Sequence, residues 1–256
     1  MPTRLWRRLR YVCTTGARRR LRDRVLRADG GNRFVLREDL ARRYLDGTGI
    51  EIGAAFWPLR VPPGVTIRYL DHLSREDLVR EYAHFAEVMN LDLAAIPRVD
   101  VVDDATRLTT LADASQDFVI ANHVLEHTED PIGALQTLLR VIKPAGILFL
   151  TLPDARHTFD SPRPRTSVEH LLRDHNEGPE LSRNEHYEEW ARYIEGAAEQ
   201  HVATRVSEFA AEGAKHHFHV WELENFLALL LAVDLPCEIA LAQRNGEEFA
   251  VILRRS

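Results

Sequence analysis

The sequence predicts an α/β fold built on a mostly parallel sheet that ends in an antiparallel hairpin, and three observations predict it. A short apolar run, Phe118 to Ala121, ends in the polar cluster Asn122, His123, Glu126 and His127. It then passes through Asp130-Pro131 into the amphipathic run Ile132 to Ile142, and returns through Pro144-Ala145-Gly146 to the apolar run Ile147 to Leu152. That is a strand, helix, strand unit with its polar residues at the carboxyl end of the first strand. Further short apolar runs recur upstream at the spacing of successive β-α units. Near the end, Asn245-Gly246 stands between two β-type runs, a strong hairpin signal.

Taken in order, Arg37 to Leu45 reads as a helix stopped at Asp46-Gly47, and Ile50 to Ile52 as a short buried strand. Thr66 to Leu70 is the next strand. Ser74 caps a helix that opens with Glu76 and Asp77 and runs to about Phe85. Val99 to Val102, Phe118 to Ala121 and Ile147 to Leu152 complete a five-strand parallel set. Trp221 to Val233 reads as a buried helix, and Glu238 to Ala242 with Phe249 to Leu253 form the hairpin. Residues from about 154 to 219, rich in charge, histidine and proline, exceed what the sheet needs. Their helical stretches (Ser167 to Asp174, His186 to Gln200, about Ala203 to Ala214) are expected to cap the carboxyl edge, where such insertions carry selectivity.

At 256 residues with 45% hydrophobic and 28% charged content, the chain matches an ordinary globular protein. We expect one domain over residues 29–256, preceded by a basic helical arm over residues 1–28. Cys13 and Cys237 make no disulfide framework, which points to a reducing, cytoplasmic setting. No apolar run reaches the length of a membrane span. The arm holds ten arginines against Asp23 and so leaves the rest of the chain strongly acidic. A solvated helix with its arginine stems on apolar surface explains it, and weak contact with a membrane surface or an acidic partner is the alternative. An acidic body argues against nucleic acid.

The polar cluster with its flanks resembles the fourth and fifth motifs of class I S-adenosylmethionine-dependent methyltransferases, in particular the type 11-like small-molecule group. The resemblance extends to Gly49-Ile-Glu-Ile-Gly-Ala-Ala-Phe-Trp-Pro58, in the place of the first strand and glycine-rich loop, to Tyr69-Leu-Asp71, and to Val101-Val-Asp-Asp-Ala105. It implies a Rossmann-like seven-stranded sheet and S-adenosyl-L-methionine as cofactor. It also implies residue roles. Glu51, Gly53 and Ala54 would lie against the methionine part and Asp71 would accept the ribose hydroxyls. Asp104 with Ala105 would meet the adenine, Asp103 being the adjacent alternative, and Asn122 of the fourth motif would be a further cofactor-binding residue. Ala54 and Ala55 depart from the family, which commonly has a further glycine there. The spaced glycines of a dinucleotide-binding fingerprint are absent as well.

Relatives that methylate sugars place a histidine at the fourth motif and an aspartate after the fifth strand, which makes His127 the expected general base and Asp154 its partner, with His123 and His157 next in line. A neutral imidazole can take a hydroxyl proton during methyl transfer. His157, Asp160, His170, His216, His217 and His219 raise the question of Mg²⁺ held by Asp154 and Asp160. Histidines suit softer metals, however, and the spacing matches no compact zinc signature, so the expectation is a polar pocket without metal. The expected reaction is methyl transfer to a hydroxyl of a sugar or glycosylated natural product. Nitrogen or carboxylate methylation, or cofactor binding without catalysis, are the alternatives.

Overall fold

A computed structural model of the protein describes residues 32–256; the basic arm expected over residues 1–28 lies outside the described residues. Helix α1 (Asn32–Tyr44) leads into β1 (Thr48–Ile52), β2 (Thr66–Asp71), α2 (Arg75–Met89), β3 (Val101–Val102), β4 (Gln116–Asn122), α3 (Pro131–Val141) and β5 (Ile142–Pro153). After β5 come α4 (Val168–Glu177), α5 (Arg183–Glu189), α6 (Glu199–Glu212) and α7 (Leu223–Ala232), and the hairpin β6 (Cys237–Asn245) and β7 (Glu248–Arg255) closes the chain. The seven strands lie in the order β3-β2-β1-β4-β5-β7-β6. The first five are parallel, and β7 runs antiparallel to both β5 and β6. This is the Rossmann-like sheet that the resemblance implied.

Both faces of the sheet are covered at its centre, so β4, β5 and β7 carry apolar runs. The pleat divides each run between two cores. Val119 and Ala121 of β4, Leu148, Leu150 and Leu152 of β5, and Phe249, Val251 and Leu253 of β7 pack with α3 and α7 on one face. Phe118, Ile120, Ile147, Phe149, Ala250 and Ile252 face Leu40, Ala41 and Leu45, the first two of them on α1. Capping follows the sequence. Ser74 accepts from the Asp77 N–H at the start of α2, and Asp130 accepts from the Gly133 N–H at the start of α3, with Pro131 in the first turn. Among the described residues no helix is long and apolar enough to cross a membrane.

Several boundaries differ from the sequence reading, and three of them have a physical cause. The third strand pairs only over Val101–Val102, because it is the sheet edge and Pro97 just upstream has no N–H to donate. Strand β5 begins at Ile142, directly where α3 ends, since Ile142 pairs with Gln116 before a register shift. The helix expected from His186 to Gln200 starts earlier, widens into a π turn over Trp190–Glu195 and stops at left-handed Gly196 (φ 67°), so α6 is separate.

Candidate active site

Strands β1, β2 and β4 end together along the carboxyl edge, which gathers the expected cofactor residues. Gly53 follows β1 with φ 65°, and a Cβ there would meet only the Val124 side chain, at 3.7 Å, so the backbone is open to a ligand. Ala55 is itself left-handed (φ 44°), which gives a reason why the family favours glycine in this loop. Glu51 is spent differently from the expectation. Both of its oxygens accept the Leu59 N–H at 3.0 Å, so it staples the loop from beneath. Burial pushes its carboxyl up to about 7 in spite of that bond. Asn122 donates to Glu51 at 3.5 Å and accepts from Thr151 at 2.9 Å, tying together the ends of β1, β4 and β5.

Asp71 ends β2 beside a groove lined by Ala54, Tyr69, Ile96 and Val99. Its Oδ1 accepts from the His72 N–H at 2.8 Å, leaving Oδ2 for a ligand. The two adjacent acids at the next strand end are told apart by their bonds. Asp103 is saturated by the N–H groups of Asp104 and Thr110 and the hydroxyls of Thr109 and Thr110. Asp104 uses only Oδ1, on Thr106, and stands exposed next to half-buried Ala105. An open glycine, a buried acid with an unshared oxygen and an exposed acid in sequence along one edge fit the methionine, ribose and adenine of S-adenosylmethionine.

The fourth motif forms two arrays. In one, His123 (φ 54°) sets Nε2 2.8 Å from Glu248 Oε2 and Nδ1 3.3 Å from Glu126. Glu248 is fully buried and also holds the Arg37 guanidinium. Burial opposes charge on these groups, but the two carboxylates raise the His123 pKa, and Arg37 with His123 draws the Glu248 carboxyl down to about 2. His123 therefore has both ring nitrogens committed and holds β7 to the fourth motif. Glu248 and Arg37 escaped the sequence reading, because the pair is separated by 211 positions and nothing local marks either residue.

In the other array, His127 Nδ1 lies 3.1 Å from the His216 carbonyl. A carbonyl only accepts, so Nδ1 carries the proton and Nε2 keeps its lone pair. His217 stands edge-on to this ring at 4.7 Å, and its own Nδ1 donates to Asp160 at 2.6 Å. Buried Arg163 holds Asp160 at 2.9 Å and the His217 carbonyl at 2.8 Å. The protein packed around His127 lowers its pKa, His217 adds to that, and the value falls to about 4. His127 is itself exposed to solvent, which moderates the fall. The Glu126 carboxylate lies beneath, buried, with His123 Nδ1 3.3 Å from one oxygen as its ion-pair partner.

Asp154 does not reach His127. It is fully buried and clamped by Arg156, at 2.9 Å from Nε, and among the described residues no hydrogen bond or ion pair joins it to His127. The acid nearest the motif on this side is Asp160, which holds the His217 ring that packs edge-on to His127. His157 is exposed on the turn after Asp154. With Asp154 neutralised by Arg156 and Asp160 by Arg163, the two acids form no oxygen cluster for Mg²⁺.

A family model described as a methyltransferase domain matches residues 18–225. No curated protein sequence matches the chain. Among solved structures, a SAM-dependent methyltransferase from Aquifex aeolicus is similar at 13% identity, over 92% of this chain and 89% of that one, with a TM-score of 0.43. A SAM-dependent methyltransferase from Methanosarcina mazei is similar at 15% identity, over 83% of this chain and 95% of that one, with a TM-score of 0.42. The chain belongs to the methyltransferase-domain family and is a class I S-adenosylmethionine-dependent methyltransferase.

Proposed function

We propose that the protein methylates a hydroxyl of a small polar acceptor of the sugar or glycosylated natural-product class, in a reducing cytoplasmic setting, and that His127 receives the hydroxyl proton. The observation that carries this reading is the state of His127: Nδ1–H is fixed on a backbone carbonyl, Nε2 is unshared, and the residue is exposed in the turn after β4. When bound, S-adenosylmethionine supplies an electrophilic methyl group on a sulfonium. The residues that would hold it are Gly53, Asp71 and Asp104.

His127 stays neutral at neutral pH because its folded-state pKa lies below the ordinary histidine value. As a weak base it belongs at the lower end of the general-base range, about 10²-fold in rate. Asp160 and His217 act as positioning residues that fix its flank. The Glu126 carboxylate, under His123, His127 and His217, offsets positive charge that develops on the ring as the proton arrives. Proximity in the closed site supplies the larger share, on the order of 7–11 kcal/mol in well-oriented systems.

The test is release of S-adenosylhomocysteine from S-adenosylmethionine across a panel of sugars, phenols, amines and carboxylic acids, with wild-type protein and His127→Ala. The reading requires turnover on a hydroxyl acceptor, a loss of about 10²-fold in kcat for the variant, and unchanged cofactor affinity. Turnover confined to amines or carboxylates, or a fully active variant, refutes it.

A further inference from the structure

A second group of ionisable side chains lies in the segment between β5 and α7, apart from the array around His127. His170 and Asp174 are one helical turn apart on α4, so they share a face. His186 comes from α5, and His219 from the extended stretch before α7. One ligand atom from each of the four lies within 4.8 Å of the others, and all but His170 are buried. We propose that these residues form a closed site for a divalent transition metal, with zinc the first choice.

The geometry is close to what a metal needs. Zinc bonds of about 2.0 Å at tetrahedral angles place neighbouring ligand atoms about 3.3 Å apart. His170 Nε2 already lies 3.2 Å from His186 Nε2 and 2.9 Å from Asp174 Oδ2, and His186 Nε2 is 3.8 Å from Asp174 Oδ2. Two imidazole nitrogens facing each other at that distance share at most one proton, which is a poor use of a buried site unless a cation sits between them. His219 supplies the independent sign. Its Nε2 donates to the Glu129 carbonyl at 3.1 Å, so Nδ1 is the unprotonated nitrogen. That Nδ1 is buried and has no hydrogen-bond partner, in a side chain only 1% exposed. A histidine held by its far nitrogen on a carbonyl is the usual outer-shell arrangement of a metal ligand.

Asp174 fits the same account. Its Oδ1 accepts from Ser182, and its buried Oδ2 is left to the rings, 2.9 Å from His170 Nε2 and 3.8 Å from His186 Nε2. Three imidazoles and one carboxylate suit zinc and its neighbours and disfavour magnesium. One contact must change on loading. Arg173 donates to His170 Nδ1 at 3.1 Å, so the neutral ring carries its proton on Nε2. Metal binding at Nε2 moves that proton to Nδ1 or releases it, and the exposed Arg173 then retains Ser182 and Glu185 as partners. The sequence reading expected no metal because the ligands come from three elements, with none of the compact pair spacings of a zinc motif.

Such an ion would join α4, α5 and the stretch carrying His216 to His219. The N–H of Phe218 in that stretch donates to the Glu126 carbonyl at 2.7 Å, so the site would hold the insertion down on the fourth motif.

The experiment uses full-length protein without a polyhistidine tag. It is stripped with a chelator, reloaded with zinc or cobalt, and followed by metal content, the visible bands of tetrahedral cobalt, and competition with a chromophoric chelator. We expect a single zinc per chain, tetrahedral cobalt bands, and binding at least about 100-fold weaker in Asp174→Asn and in His219→Gln, since outer-shell partners alone are worth about 10- to 100-fold. His217→Gln should keep full stoichiometry. Should His219→Gln fail to fold, His170→Gln, at the partly exposed position, carries the same expectation. Wild-type protein that takes up no metal overturns the proposal. So do ligand variants that bind as tightly as wild type, or loss of metal confined to His217→Gln, which would place the ion at Glu126 and His127. No readout depends on the acceptor, so failure here leaves the proposed function standing.

Discussion

Replacing His217 with glutamine should move the acid limb of the pH–rate profile upward. In the fold the His127 pKa falls from 6.5 to about 4, chiefly through the protein packed around the ring and next through His217. Only the neutral imidazole accepts a proton, so activity is present above the folded pKa and lost as the pH falls through it. The wild-type limb should therefore lie below 6.5, short of the full displacement because His127 is exposed to solvent. Glutamine can still donate to Asp160 but carries no ring charge. It removes the second cause and leaves the first, so the limb should rise while staying below the ordinary histidine value.

The assay is S-adenosylhomocysteine release under kcat/KM conditions across the acid range, with tryptophan fluorescence recorded at each pH to separate titration from unfolding. In the plain case kcat/KM below the limb falls about tenfold per pH unit, because a single proton is involved. A wild-type limb at or above 6.5, or a glutamine variant whose limb moves down, refutes the assignment of His127 as the base in its present surroundings.

Asp71→Ala should weaken S-adenosylhomocysteine binding by about 1.5–3 kcal/mol, the scale for hydrogen bonds to a charged group; unchanged calorimetric affinity removes Asp71 from the site. Glu248→Gln should lower stability at neutral pH by on the order of 3 kcal/mol, since the fully buried carboxyl is drawn from 4.5 to about 2. A depressed folded pKa contributes stability present above 4.5 and lost as the pH falls toward 2, so urea midpoints of variant and wild type should converge in acid and separate at neutral pH. Ala55→Gly should be neutral to stabilising by up to about 1 kcal/mol, because relief of the left-handed alanine exceeds the added chain entropy; a loss larger than that in thermal unfolding contradicts the strain reading. Asp154→Ala should lower the unfolding temperature and leave the acid limb in place, since its partner is Arg156.

Much of this architecture was written in local pattern. The β4–α3–β5 unit, the Asn245-Gly246 turn, the Ser74 cap and the Asp130-Pro131 helix start all depend on residues a few positions apart, and they formed where the pattern placed them apart from the earlier start of β5 at Ile142. The strand ends that carry Gly53, Asp71 and Asp104 were legible for the same reason, because each lies directly after its apolar run. What could not be read were partners brought together by the tertiary fold. Asp154 follows β5 as the resemblance required, yet Arg156, two positions on, takes its carboxylate, while Asp160 holds the His217 ring that packs beside His127. His123 looked like a spare base, until Glu248 arrived from the final hairpin to hold its second nitrogen. The β3 boundary failed because propensity marks extended backbone and says nothing of which edge residues find a pairing partner.

The insertion after β5 is more than a cover for the sheet edge, because it supplies the groups that set the state of His127. Without residues 216–219, Nδ1 of His127 would lose the His216 carbonyl, its flank would lose His217, and the Glu126 backbone carbonyl would lose the Phe218 N–H. The tautomer of the proposed base therefore depends on how firmly this stretch is seated. Buried Arg163 secures it from one side, through the carbonyls of His217 and Phe218. His219, held to the Glu129 carbonyl, secures it from the other. An acceptor entering over His127 would meet both the sheet edge and this stretch. Changes in residues 216–219 should then alter acceptor preference and proton removal together while leaving cofactor affinity to Gly53, Asp71 and Asp104.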